Sequence, residues 1–142
     1  MHLMYGYFLL IYLKYIFREA FMTSLYERIG GDAAVDAAVD IFYRKVLMDD
    51  RINEFFDGVD MEQQINKQKG FLTMVFGGSN NYTGKDMREG HKHLVARGLN
   101  DSHVDAVVEL LGATLQELGV AAEDIQEVAS LANSVRGDVL NK

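Results

Sequence analysis

Cysteine and proline are both absent from this 142-residue chain, and each absence removes a class of answer. Without cysteine there is no disulfide framework, no thiolate metal site and no cysteine nucleophile. Without proline nothing forces a helix to stop, which suits a chain built mostly of helices. Positive charge is also scarce: 14 Lys and Arg stand against 21 Asp and Glu, a net charge of −7. That balance argues against nucleic acid as a partner and gives no reason to expect attraction to an anionic membrane surface. Internal repeats and low-complexity tracts are missing as well. What remains is the composition of an ordinary globule, 49% hydrophobic and 25% charged, at a length that supports one domain with a real core. Glycine supplies the breaks instead, at Gly30-Gly31, Gly77-Gly78, Gly84, Gly98 and Gly119.

Residues 1–21 differ from the rest. They are dense in Tyr, Phe, Leu and Ile, and Lys14 and Arg18 interrupt the run. The stretch is short for a membrane span and carries a charge inside it. The small-residue cleavage site of a secretory signal is not evident. Three readings stand: a hydrophobic anchor, an amphipathic surface helix, or translated upstream sequence. The third is favoured, because Met22 directly precedes Thr23-Ser24, which looks like a natural domain start. The expectation is a leader over 1–22 outside the fold and one domain over 23–142. A cytoplasmic location is expected, with membrane association through residues 1–21 the less favoured reading.

From there the pattern is helical throughout. Residues 24–29 read as a short helix with Ser24 as N-cap and Glu27 three positions on, a capping-box spacing. Asp32 can cap a helix over 33–48, with Val35, Ala38, Val39, Phe42 and Val46 on its apolar face and Tyr43 at the edge. A short segment over 52–56 carries Phe55 and Phe56, a helix over 60–76 follows, and 79–85 reads as a polar loop. A short helix over 86–95, a turn over 96–100, a long helix capped by Asn100 or Asp101 and running to Leu118, and a last helix over 122–140 complete the chain. No strand pattern competes over a comparable length, so the fold class is all-α.

Two features stand out against this background. On a wheel of about 100° per residue, Met61, Ile65, Phe71, Leu72, Val75 and Phe76 share one arc, and Gln64 and Gln68 fall inside it. A buried amide is costly unless it is hydrogen-bonded, so the pair either bonds to itself or to backbone, or faces a polar ligand in an apolar pocket. Of the four histidines, His2 lies in the leader, His103 reads as surface in the first turn of a helix, and His93 falls on the solvent side with Asp86 and Glu89. His91 lies inward, between Met87, Leu94 and Val95. An inward histidine is most often a hydrogen-bonded core residue. Zinc-like spacing, a nucleophile elbow and a phosphate loop are all missing. One inward imidazole can hold the iron of a haem, which leaves the opposite side for a small ligand, and Tyr43, Gln64 and Gln68 could supply a phenol and two amides there.

Several motifs then resemble the group I truncated haemoglobins, the small two-over-two globins, over residues 23–142. They are Leu25 to Gly31 (LYERIGG), Phe42-Tyr43, Phe55-Phe56, Asp60-Met61 leading to Gln64 and Gln68, Phe71-Leu72 through Phe76-Gly77-Gly78, Tyr82-Thr83-Gly84, and Met87 to His91 (MREGH). Cyanobacterial and proteobacterial members are the most similar. The resemblance implies a two-over-two helical sandwich around a haem. It implies that His91 is the proximal iron ligand and Tyr43 the distal tyrosine, with Gln64 and Gln68 completing its hydrogen-bond network. Phe56 would pack against the haem plane, while Phe42, Phe71, Leu72 and Met87 would line the apolar pocket.

Lys67 stands where some members carry an internal sixth ligand; solvent exposure or a pairing with a haem propionate is the favoured alternative. Some relatives attach haem covalently through a histidine near the C-terminus. Residues 133–138 (NSVRGD) contain none, so non-covalent haem b is expected. The implied ligands are O2, NO and CO, and the implied roles are nitric oxide detoxification or oxygen binding and transport. Turnover as a nitric oxide dioxygenase would need an external electron donor. A monomer is expected, with a weak dimer left open. The reading from another class is a haem-free helical interaction module tethered to a membrane by the leader.

Overall fold

A computed structural model describes residues 6–13, 24–78 and 84–142. The expected leader therefore lies partly outside the described residues, as does most of the expected 79–85 loop with Tyr82 and Thr83. Within the leader, residues 6–13 form a helical turn, α1, whose apolar side chains are exposed. No helix among the described residues is long and apolar enough to cross a membrane.

The remaining helices are α2 (Leu25–Ile29), α3 (Gly31–Leu47), a 3-10 turn (Asn53–Phe56), α4 (Met61–Val75), α5 (Gly84–Ala96), α6 (Asp101–Glu117), α7 (Ala122–Ser134) and α8 (Arg136–Val139). No strand occurs among the described residues. α3 pairs with α4 and α6 with α7; α3 lies on α6, and α4 also meets α7. This is the two-over-two sandwich. Its core is an apolar cluster in which Val35, Val39, Val46, Leu72, Phe76, Leu111, Leu115 and Val128 are all but inaccessible. Each such side chain contributes roughly 1.5–3 kcal/mol through removal from water. Thr114, the one buried polar residue among those described, satisfies its hydroxyl on the Leu110 carbonyl at 2.8 Å.

Local chemistry fixes the corners. Ser24 Oγ accepts from the Glu27 amide, so the expected cap of α2 forms, and Asp60 caps α4 by accepting from the amides of Glu62 and Gln63. Asp32 does not cap α3. That helix starts two residues earlier than expected, because Gly30, at φ 117°, turns the chain from α2 into α3 without a linker. Asp32 instead accepts from the Tyr26 hydroxyl at 3.1 Å. Gly78 is required for a different reason: a Cβ there would stand 2.7 Å from Thr73 Cγ2 and 2.9 Å from Tyr26 Cδ2. The Tyr26 amide donates to the Phe76 carbonyl at 2.7 Å, locking the two glycine corners together.

The expected last helix over 122–140 is broken. Val135, at φ −97° and ψ 4°, separates α7 from α8. Just before the break, the Ser134 hydroxyl and the Asn133 amide donate to the carbonyls of Leu131 and Ala129, the local competition for backbone groups that weakens a helix. The break lets α8 turn onto α5.

Candidate functional site

α3 and α4 form one wall of a cavity of about 760 Å³, and α5 forms the wall opposite. The 3-10 turn, α6 and the α7–α8 junction close the sides, contributing Phe55 and Phe56, Val104, Val107, Val108 and Leu111, and Val135 and Val139. The lining is largely apolar, and the exceptions are concentrated on the two opposed walls.

The first wall carries Tyr43, Gln64 and Gln68. Tyr43 is buried in α3, with the rings of Phe42 and Phe56 set edge-on at centroid distances of 5.5 and 5.7 Å. Its hydroxyl accepts from Gln64 Nε2 at 3.1 Å and donates to Gln68 Oε1 at 3.5 Å. Gln64 and Gln68 are four residues apart and therefore stack on one face of α4, both half-buried. The 3.5 Å bond sits at the outer limit of the geometry, so the phenol can turn its proton to a closer acceptor at little cost.

The second wall carries His91. Its Nδ1 lies 2.7 Å from the Met87 carbonyl, one turn earlier in α5. A carbonyl only accepts, so Nδ1 carries the proton and Nε2 carries a lone pair. Burial holds this imidazole below its ordinary pKa. The backbone bond to Met87 opposes that shift, and repulsion from His93 adds to it. The neutral, ligating form is thereby favoured. Met87 is buried and also lines the cavity.

Phe42, Tyr43, Phe56, Gln64, Lys67, Gln68, Phe71, Met87 and His91 are thus brought together around one space. Leu72 is not among the lining residues. It is fully buried in the core behind α4, because that helix has two apolar faces, and Leu72, Val75 and Phe76 take the one toward the core. Lys67 is exposed at the rim. His103 is half-buried rather than on the surface. It lines the cavity, its ring stands edge-on to Phe55 at 4.9 Å, and its Nδ1 accepts from the Asn100 amide at 3.0 Å. The Asn100-x-x-His103 spacing carries the signal for this, since a residue at the third helical position can reach back to the cap. Arg97 also approaches Phe55, donating to the Glu54 carbonyl at 3.0 Å with its guanidinium 5.6 Å from the Phe55 ring centre.

Among the described residues no group of three or more His, Asp or Glu side chains could hold a bare metal ion. A lone imidazole facing an apolar cavity suits an ion that brings its other ligands with it.

The family model described as bacterial-like globin matches residues 24–141. The group 1 truncated hemoglobin GlbN of Synechocystis sp. is 54% identical over 124 residues, covering 85% of this chain and 100% of the relative. That of Tetrahymena thermophila is 47% identical over 119 residues, 84% of this chain and 96% of the relative. Among solved structures, the 2/2 hemoglobin from Synechococcus sp., in the cyanomet state and with covalently attached heme, matches with a TM-score of 0.79 at 49% identity, over 84% of this chain and 100% of that one. The Fe(III) form of the truncated hemoglobin from Tetrahymena pyriformis matches with a TM-score of 0.77 at 46% identity, over the same shares of each chain, 84% and 100%.

Proposed function

This chain belongs to the bacterial-like globins and, within them, to the group 1 truncated haemoglobins, and on that premise we propose that it binds dioxygen and other diatomics at a haem iron held by His91, in the service of nitric oxide detoxification.

The residues present fit haem b. The cavity volume of about 760 Å³ falls in the range of pockets that enclose a whole organic ligand. Phe42, Phe56, Phe71 and Met87 supply apolar surface for a flat macrocycle. His91 Nε2 supplies the single protein ligand, oriented through Met87. Lys67, exposed at the rim, offers a cation to the macrocycle's carboxylates; as a sixth ligand its amine would first have to lose a proton. From residues 133–138 it is the valine Val135 that lines the cavity, with Val139 just beyond, so the cofactor is held without a covalent bond from this segment.

Bound haem supplies an iron that takes up a diatomic and exchanges one electron. The chain supplies the rest. His91 fixes one side and leaves the space beneath Tyr43 open. Tyr43 Oη donates its one proton to a polar diatomic in that space, and the side-chain N–H groups of Gln64 and Gln68 beside it are further donors. Phe42 and Phe56 keep water from competing for those donors. Several donors on one small molecule slow its departure. Slow release suits reaction better than transport. Conversion of NO and O2 to nitrate consumes one electron per turnover, which an electron donor must supply.

The observation that carries this reading is the opposition of one imidazole lone pair and one phenol–diamide cluster across a single apolar cavity. Mixing the reduced, oxygenated protein with NO tests it. Nitrate should form in proportion to haem, faster than in buffer with free haem. Nitrite alone, at the rate seen in buffer, would overturn the detoxification role.

A further inference from the structure

The helix that bears His91 has little to hold it. One side of α5 faces the cavity, and Met87 is its one buried side chain among those described. Gly84 and Gly90 lower its intrinsic stability. Among the described elements, α8 is the only helix on which α5 packs extensively. Yet α8 spans four residues, too few to stand alone.

Two arginines resolve this. Arg136, in α8, donates to Asp101 Oδ1 at 3.1 Å, to the Asp101 carbonyl at 3.2 Å, to Asp105 Oδ1 at 2.6 Å and to Asn133 Oδ1 at 2.6 Å. That fastens α8 to the first turns of α6 and the end of α7. Arg88, in α5, donates from Nε to Asp138 Oδ1 at 2.7 Å and from its terminal nitrogen to the Lys142 carbonyl at 2.6 Å. In return the Asn141 side-chain amide donates to the Arg88 carbonyl at 3.1 Å. Leu140, at the end of α8, is buried.

We propose that Arg88 and Arg136 form a relay from α6 through α8 to α5 that sets the position of the His91 ring, which makes Arg88 a positioning residue for the iron ligand. The inference rests on the reading of His91 given above. The coupling is short. The Met87 carbonyl that orients His91 Nδ1 belongs to the peptide unit ending at the Arg88 nitrogen. A turn of that peptide plane moves the acceptor and, with it, the imidazole. Three bonds, two from the Arg88 guanidinium and one to its carbonyl, tie the residue that ends this peptide unit to Asp138, Lys142 and Asn141. Charge completes the relay: Lys142 Nζ also approaches Asp101 Oδ2 at 3.4 Å.

The test compares haem-loaded wild type with Arg88→Ala, Arg88→Lys, Asp138→Asn and His91→Ala. Arg28→Ala is the control, because Arg28 also joins two helices through its guanidinium, bonding to Asp124 and Glu127 of α7 rather than to α5 or α8. Two readouts are taken: the rate of haem transfer to an excess of a scavenging apoprotein, and the iron–histidine stretching band of the ferrous form. Arg88→Ala should lose haem about fivefold faster and shift or broaden the band. Arg88→Lys and Asp138→Asn should fall between it and wild type, and they carry the test should Arg88→Ala fail to fold. Arg28→Ala should match wild type in both readouts. An Arg88→Ala protein with the wild-type rate and band would overturn the relay, as would an Arg28→Ala protein that behaves like Arg88→Ala. Those failures differ from failure of the underlying reading, which would show as wild type without haem or as His91→Ala with an unchanged band.

Discussion

Tyr43 Oη joins the two amides of the polar wall, accepting at 3.1 Å from Gln64 and reaching Gln68 only at 3.5 Å. The short bond orients the phenol, and the long one is readily exchanged for a better acceptor. Replacing Tyr43 with Phe keeps the ring and its contacts to Phe42 and Phe56 but removes the donor. Dioxygen should then dissociate about tenfold faster, the effect of losing one hydrogen bond of about 1.4 kcal/mol. Stopped-flow displacement by carbon monoxide measures this, and an unchanged rate would mean that Tyr43 does not reach the ligand. This cluster was legible because two glutamines one turn apart in an apolar arc violate the binary pattern. His91 was legible because it alone of the four histidines fell on an inward face. His103 was not, since a wheel reports the face of a residue but not the backbone amide its ring turns back to meet.

At the scale of the element, periodicity recovers the helices and misses how their faces are shared. The arc of α4 contains both the cavity residues Gln64, Gln68 and Phe71 and the core residues Leu72, Val75 and Phe76. A one-dimensional pattern merges the two, which is why Leu72 was expected at the pocket and is found behind it. Leu72→Ala should therefore cost about 2–5 kcal/mol of stability through the cavity it leaves in the core. Thermal unfolding of the haem-free protein would register that loss, while the ligand-bound spectra of the haem-loaded variant should match wild type. Altered spectra at wild-type stability would reverse the assignment of the face. The start of α3 and the break before α8 were missed for a related reason. Both depend on backbone geometry, a φ of 117° at Gly30 and a ψ of 4° at Val135, that residue preferences alone do not specify.

For the whole molecule, the two-over-two arrangement turns a hydrophobic sandwich into a holder with chemically distinct walls. α3 and α4 are embedded in the core and carry the polar cluster, whereas α5 carries the imidazole and, among the described elements, packs extensively on α8 alone. The wall set in the core would meet the small ligand, and the wall held through α8 would meet the iron. That division was not visible in the sequence, because it depends on which helices share a neighbour. The most direct measurement is the visible spectrum of the purified ferrous protein, alone and then under dioxygen and under carbon monoxide. The arrangement of His91 opposite Tyr43, Gln64 and Gln68 predicts a Soret band of a five-coordinate iron that shifts with each gas. Absence of a Soret band after addition of haemin would contradict the account at its root.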